Sequence, residues 1–332
     1  MVIVIKITSI QQKNIILIGM VFTSLYFVIN YKLQKLISIL IPVYNYEIAE
    51  MANALYALQS NFPLEIIFAE DGSDEKFIST NQKTLLSYPD MKYWISTQNK
   101  GRSAIRNQLA EMASFDYLLF LDADTIPFDS EFIHRYEKVM KENILVYGGR
   151  SYTSEAPKER NKFLHWKYGR TREVIPLQKR IKFPYRSFMT NNFLIPKSIF
   201  NILGGFDEEI QGYGHEDTIF GMLLRKNKIE ILHIENAAVH MGIEDGQIFI
   251  KKSLKAAENL IFLSKKYPEL AEEVKIWKYF IQTKKIGLGY ILAFFFPRGK
   301  TTMEYFIKDK RANLFCFDLY RLSFLHWKSL GR

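Results

Sequence analysis

Asp122 and Asp124 end a strongly apolar run, Tyr117–Leu121, with only Ala123 between them. Two carboxylates that close repel, and burial makes each costlier. A hard divalent cation such as Mg²⁺ or Mn²⁺ relieves that repulsion, as does a turn open to water. In "EDGSDE", Gly72 makes a turn from which Asp71 and Ser73 can hydrogen-bond a ligand, or Ser73 or Asp74 can cap the next helix. "NKGRSAIRN" gathers Lys100, Arg102 and Arg106 at a helix start. Arg102 and Arg106 share a helix face, an arrangement that suits a diphosphate as well as a solvated basic surface. In "GYGHED", Glu216 and Asp217 follow two glycines. One of them can take a proton from a hydroxyl, although acidic residues also favour any helix N-terminus. His240 ends the apolar "NAAVHMG"; an imidazole beside a carboxylate completes a metal shell, or the ring is structural.

These residues need elements to position them. From Leu36 to Asp124, short apolar runs alternate with segments of helical spacing. "ISILIPVYN", "LEIIFAEDGSDE", "MKYWIS" and "YLLFLDAD" read as strands. "EIAEMANALYALQS", "KFISTNQKTLLSY" and "GRSAIRNQLAEMA" read as the helices between them. The alternation predicts an α/β fold with a parallel, helix-covered sheet, and the polar clusters "YN", "EDGSDE" and "DAD" sit beyond strand C-termini, where such sheets bind ligands. A helix over 130–141, a strand over 144–148, a helix over 216–226 and a strand near 229–240 continue the pattern. Residues 151–187 are polar, basic and irregular, as lids and binding loops are. From Gln247 onward the chain reads as helical, with a break at Pro268.

The 332-residue chain is 48% hydrophobic and 24% charged, enough for a sizeable core. A single cysteine, Cys316, rules out an internal disulfide, argues against a Cys-based zinc site and fits a reducing compartment. The net charge is +10, and from Ile276 onward eleven Lys and Arg stand against three Asp and Glu. That basic end suits phosphates or an anionic lipid surface. No interleaved basic and aromatic module supports a nucleic-acid partner. Asn14–Asn30 is uncharged and mostly apolar, at the lower length limit of a membrane span, or it precedes the natural start. Ile286–Phe296 is too short to span; it can lie in a membrane interface or pack on the core.

Together, "ISILIPVYN", "EDGSDE", "NKGRSAIRN", "FLDAD" and "GGFDEEIQGYGHED" resemble the family-two glycosyltransferases with the GT-A fold, in order and spacing from Ile37 to about Gly242. The Gly-His-Glu-Asp end is similar to the bacterial chondroitin-polymerase and galactosyltransferase-like branch. Glu70 departs from the family, where Asp is usual. The resemblance implies a GT-A domain over 36–245; the terminal segments take no part in it, and composition marks 1–35 as an apolar segment, a possible membrane anchor or start-site extension, and 246–332 as a basic, helical extension. It implies an inverting transfer from a UDP-sugar to a glycan or lipid-linked glycan in cell-surface polysaccharide synthesis, on the cytoplasmic side of the membrane. Asp71 would bind uracil beside Pro42, Tyr44 and Asn45. Arg102 and Arg106 would help hold the nucleotide, and Asp122 the ribose or sugar. Asp124 would ligate Mn²⁺ or Mg²⁺, with His240 as second ligand. Asn191 and Asn192 would line the sugar pocket. Asp217 would deprotonate the acceptor, and Glu216 would bind it. Transfer to a polyprenyl phosphate and a non-catalytic, nucleotide-sugar-binding subunit are the competing expectations.

Overall fold

The computed structural model describes residues 36–210, 214–308 and 311–331. The apolar stretch Asn14–Asn30 and residues 211–213 of the "GGFDEEIQGYGHED" motif lie outside them. Strands β1 (Ile37–Val43), β2 (Leu64–Asp71), β3 (Met91–Ser96) and β4 (Tyr117–Leu121) are joined by helices α1 (Ala49–Tyr56), α2 (Glu75–Leu85) and α3 (Arg102–Met112). They pair in parallel in the order β3-β2-β1-β4. Short β-branched and aromatic runs cannot satisfy their backbone alone, and right-handed helical crossovers are what parallel pairing requires.

Both faces of this sheet are buried, so the strands are apolar without alternation. Ile37, Ile39, Ile41 and Val43 of β1 join Leu119 and Leu121 of β4 in one core layer. Leu40, Leu118 and Phe120 point into the other, where Phe120 stacks on Phe193 with centroids 4.9 Å apart.

Past β4 come β5 (Thr125–Pro127), α4 (Phe132–Glu137), β6 (Ile144–Tyr147) and β7 (Arg150–Tyr152). The large sheet is completed by β8 (Asn192–Pro196), antiparallel to both β4 and β6, and by β9 (Glu230–His233), parallel to β6. Its seven-stranded order is β3-β2-β1-β4-β8-β6-β9. The strand expected near 229–240 is two strands. The polypeptide leaves the large sheet after β9, and β10 (Ala238–His240) joins β5 and β7 in a separate three-stranded sheet. Asn236 fixes the crossing. Its amide N–H donates to the Gly148 carbonyl at 3.1 Å, and its side chain donates to the Phe132 carbonyl at 2.9 Å.

Residues 151–187, expected to be irregular, form short helices: a 3₁₀ turn (Arg160–Lys162), α5 (Phe163–Tyr168), a π turn (Gly169–Glu173) and α6 (Leu177–Lys182). The anchor is Leu164, buried among Phe249 and Phe317 of the C-terminal helices. Helix α7 (Lys197–Ile202) follows β8, and α8 (Glu216–Lys226) precedes β9. Helices α9 (Gly246–Lys266), α10 (Leu270–Glu273), α11 (Lys275–Lys285), α12 (Leu288–Ile307) and α13 (Leu314–Ser329) close the chain. Asp245 caps α9 by accepting from the Gln247 amide at 2.7 Å. Among the described residues no helix is long and apolar enough to cross a membrane.

Candidate active site

The turn after β2 is built by interlocking carboxylates. Glu70 is fully buried and faces inward: Asn81 Nδ2 and Tyr93 Oη each donate to its Oε1 at 2.7 Å, and the Ser73 hydroxyl donates to its Oε2. Glutamate in place of the family's aspartate therefore serves the turn's scaffold. Asp71 accepts from the backbone amides of Lys100 at 2.6 Å and Gly101 at 3.0 Å, tying β2 to the loop that starts α3. Each of its oxygens keeps a second lone pair for a ligand. Gly72 sits at φ +68°, where a Cβ would come within 2.3 Å of the Asn99 amide nitrogen, so glycine is required. Asn45, at φ 49°, crosslinks β1 to this turn by donating its N–H to Ser73 Oγ and accepting from the Asp74 amide. Pro42 pairs in register with Ala69, and Tyr44 is exposed.

The two aspartates after β4 have separate partners, Arg106 for Asp122 and His240 for Asp124. Arg106 Nη2 donates to Asp122 Oδ1 at 2.6 Å. Arg106, expected to hold the nucleotide, is only 3% exposed, and its Nε has no hydrogen-bond partner among the described residues. Asp124 Oδ1 faces His240 Nδ1 at 3.2 Å. That meeting depends on β10, whose register places His240 opposite Thr125. Burial disfavours charge on Asp124, but His240, then Arg150 and Arg102, hold its carboxyl well below the usual range. Gly242 is pressed on the same aspartate; a Cβ there would lie 2.5 Å from Asp124 Oδ2 and 2.8 Å from its Cβ.

Asp124 Oδ1 and both His240 ring nitrogens are buried without a hydrogen bond among the described residues. Adjacent positions on an octahedral cation with bonds of 2.0–2.1 Å are ~3 Å apart, so the 3.2 Å pair fits one Mg²⁺ or Mn²⁺. Among the described residues no three His, Cys, Asp or Glu side chains are grouped closely enough to hold a metal ion by themselves. The protein thus offers two ligands, the number expected where substrate phosphates and water supply the rest.

Antiparallel β8 brings its N-terminal end to the C-terminal end of β4, with Asn192 opposite Leu121. Thr190 thereby reaches α8: its hydroxyl donates to Asp217 Oδ1 at 2.5 Å and its amide donates at 3.2 Å. Burial, then the neighbouring Glu216, push the Asp217 carboxyl up to about 6. Glu216 goes the other way. Burial opposes its charge, but Arg102, at 3.1 Å, and Arg106 hold it low. Two adjacent carboxylates are thus shifted in opposite directions, because Arg102 hydrogen-bonds Glu216 while Asp217 is buried beside that charge. His215, at φ 77°, starts α8, and its Nε2 meets the Ala256 carbonyl of α9 at 2.9 Å.

The expectation for Asn192 is corrected. It is fully buried and its amide is consumed: Oδ1 accepts from Tyr136 Oη at 2.6 Å, and Nδ2 donates to the carbonyls of Gly149 and Asn236. Its neighbour Asn191 has a buried Nδ2 with no partner among the described residues. Arg150 and Thr190 were not singled out in the sequence. Arg150 Nε lies 3.3 Å from Glu173, which the π turn places there and which also accepts from the Tyr152 hydroxyl. An arginine following "YGG" and a threonine before a pair of asparagines give no local signal.

The mixed, mostly parallel sheet with carboxylates beyond its strand ends and helices closing the chain is a GT-A-type fold. The chain belongs to glycosyl transferase family 2, whose model matches residues 38–203, half its length. It is 28% identical over 221 residues to a chondroitin synthase of Pasteurella multocida, a match covering 57% of this chain and 23% of that protein. It is 25% identical over 238 residues to a chondroitin synthase of Escherichia coli, covering 61% and 34%. The chain thus corresponds to a third or less of the length of these relatives. Among solved structures, the mannosyltransferase PcManGT from Pyrobaculum calidifontis, in complex with GDP-Man and Mn²⁺, shares the fold with a TM-score of 0.55 at 14% identity, over 89% of this chain and 86% of its own.

Proposed function

We propose that this enzyme is an inverting, divalent-metal-dependent hexosyltransferase that uses a UDP-sugar and extends a cell-surface glycan at the cytoplasmic face of a membrane. The observation that carries this reading is the meeting of Asp124 and His240 beyond the C-terminal end of β4, 3.2 Å apart and without a hydrogen bond among the described residues. The 28% identity to a chondroitin synthase supports a polysaccharide product, and the UDP-sugar rests on the motif resemblance.

The residues divide the work. Asp71 and the segment Pro42–Asn45 receive the uracil. Arg106 fixes Asp122 toward the ribose or sugar, and Asn191 offers its free amide to the sugar. Asp124 and His240 would hold the cation, which when bound offsets the charge that grows on the diphosphate. Asp217 takes the acceptor proton, a step that contributes ~10²–10⁴ in rate. Thr190 aims its carboxylate. Glu216, held ionised by Arg102, binds acceptor hydroxyls. A single displacement on the face opposite the diphosphate inverts the anomeric centre.

The test incubates the full chain with UDP- and GDP-sugars and Mn²⁺, and measures nucleoside diphosphate release. UDP release from one or a few UDP-sugars, abolished by chelation, is expected. Turnover of GDP-sugars alone, or UDP release untouched by EDTA, would overturn the donor or the metal assignment respectively.

A further inference from the structure

Helix α12 is apolar on two faces, and only one of them is used. Gly289, Ala293, Phe296 and Ile307 are buried, with the Phe296 ring against Tyr320, Phe324 and Trp327. The rotation is locked, because a Cβ on Gly289 would lie 2.4 Å from the His326 ring. At 100° per residue, Leu288, Tyr290, Ile291, Phe294, Phe295 and Phe306 fall on the opposite arc, about 160° wide. Tyr290 is 67% exposed, Ile291 54%, Phe294 50% and Phe295 58%. A contiguous apolar surface of this kind marks an interaction site.

The exposed arc carries no acid: Glu304, the acidic residue of this helix, lies on the inner side, where it accepts from the Tyr320 hydroxyl and pairs with Lys308. Between residues 274 and 303 there are six basic residues, Lys275, Lys278, Lys284, Lys285, Arg298 and Lys300, and no acidic residue. Arg298 lies within the apolar arc, its guanidinium 4.0 Å from the Phe294 ring centroid. Arg298 and Lys300 interrupt the helix's apolar character, and it does not meet the requirements for a span. An apolar face rimmed by unopposed cations matches a helix lying in the plane of an anionic bilayer.

We infer that the outer face of α12 docks the enzyme onto anionic lipid, with Phe294, Phe295 and Ile291 entering the acyl boundary and Lys284, Lys285 and Arg298 meeting lipid phosphates. This concerns a surface apart from the proposed donor and acceptor groups, and it is read out without any sugar donor, so it stands or falls separately from the transferase assignment.

The experiment floats the full chain with vesicles of phosphatidylcholine alone or mixed with phosphatidylglycerol. It compares wild type with the triple variant Ile291→Ser, Phe294→Ser, Phe295→Ser. The replaced side chains are exposed, so UDP-dependent thermal stabilisation should persist in the variant. Residues 1–35 are present in both arms, so a local probe accompanies flotation: a polarity-sensitive dye on Phe295→Cys in a Cys316→Ser background. Expected are preferential binding to anionic vesicles, a loss of about tenfold or more in the triple variant, and a blue shift of the dye on vesicle addition. Equal binding to neutral and anionic vesicles, wild-type partitioning of the triple variant, or an unshifted dye would overturn the inference. So would a concentration-dependent dimer that the triple variant abolishes, which would make a second copy the occupant.

Discussion

Asp217 and Glu216 are neighbours with opposite electrostatic environments, and their roles follow. Asp217→Asn keeps the Thr190 hydrogen-bond acceptor and removes the base. It should lower kcat by ~10² or more while leaving UDP affinity nearly unchanged. In wild type, Asp217 works ionised, so kcat/KM should rise through pH 6 and level off above it. The stability sign is the reverse. A carboxyl whose folded pKa is raised is destabilising when charged, so Asp217→Asn should melt above wild type at pH 7. That advantage should shrink as pH falls through 6 and vanish below about 4, where both states are protonated. A flat pH profile, or a variant less stable at pH 7, would reassign the base. Glu216→Gln should act mainly on acceptor KM.

The elements set these residues in place through contacts that sequence spacing does not encode. Asn192→Ala removes a ligand of two buried carbonyls and of the Tyr136 hydroxyl. Unpaired buried groups cost ~1–3 kcal/mol each, so denaturant unfolding should show a loss of about 3 kcal/mol or more. UDP affinity of the remaining folded protein should be retained; selective loss of donor binding at unchanged stability would return Asn192 to the sugar pocket. Gly242 is the complementary case. The Cβ of Gly242→Ala would meet the Asp124 side chain at 2.5 Å, so Asp124 must leave His240. Calorimetry should show the Mn²⁺-dependent part of UDP binding weakened ~10-fold or more.

At the scale of the whole molecule, the C-terminal helices are structural partners of the site. Ile219 of α8, two residues beyond Asp217, packs in one core with Leu260, Trp277, Phe280 and Leu325. The α8 N-terminus is held by His215 against the Ala256 carbonyl. A chain ended at residue 245 should therefore lose cooperative thermal unfolding and UDP binding together. Cooperative melting of that fragment with intact UDP affinity would make residues 246–332 a separable extension.

The first four strands, their helices and the carboxylates at their ends are legible in the sequence because each depends on local pattern. An apolar run needs burial on both sheet faces, and the polar residues that stop it must lie at the strand's end. Three things were not legible. Strand β8 begins with "NF" after a polar "TN", too short a run to stand out, yet its antiparallel direction is what carries Thr190 to Asp217. The break between β9 and β10 falls inside one apolar-rich stretch, and only pairing with β5 and β7 delivers His240 to Asp124. Asn191 and Asn192 are identical in type and adjacent, but Asn191 lies in the turn before β8 and Asn192 is its first residue, so the Asn192 amide is saturated in the core while Asn191 Nδ2 has no partner among the described residues. The sequence by itself determined which residue types stand at the strand ends. Tertiary structure decided which of them meet, because pairing partners, strand direction and register depend on contacts between segments up to about a hundred residues apart.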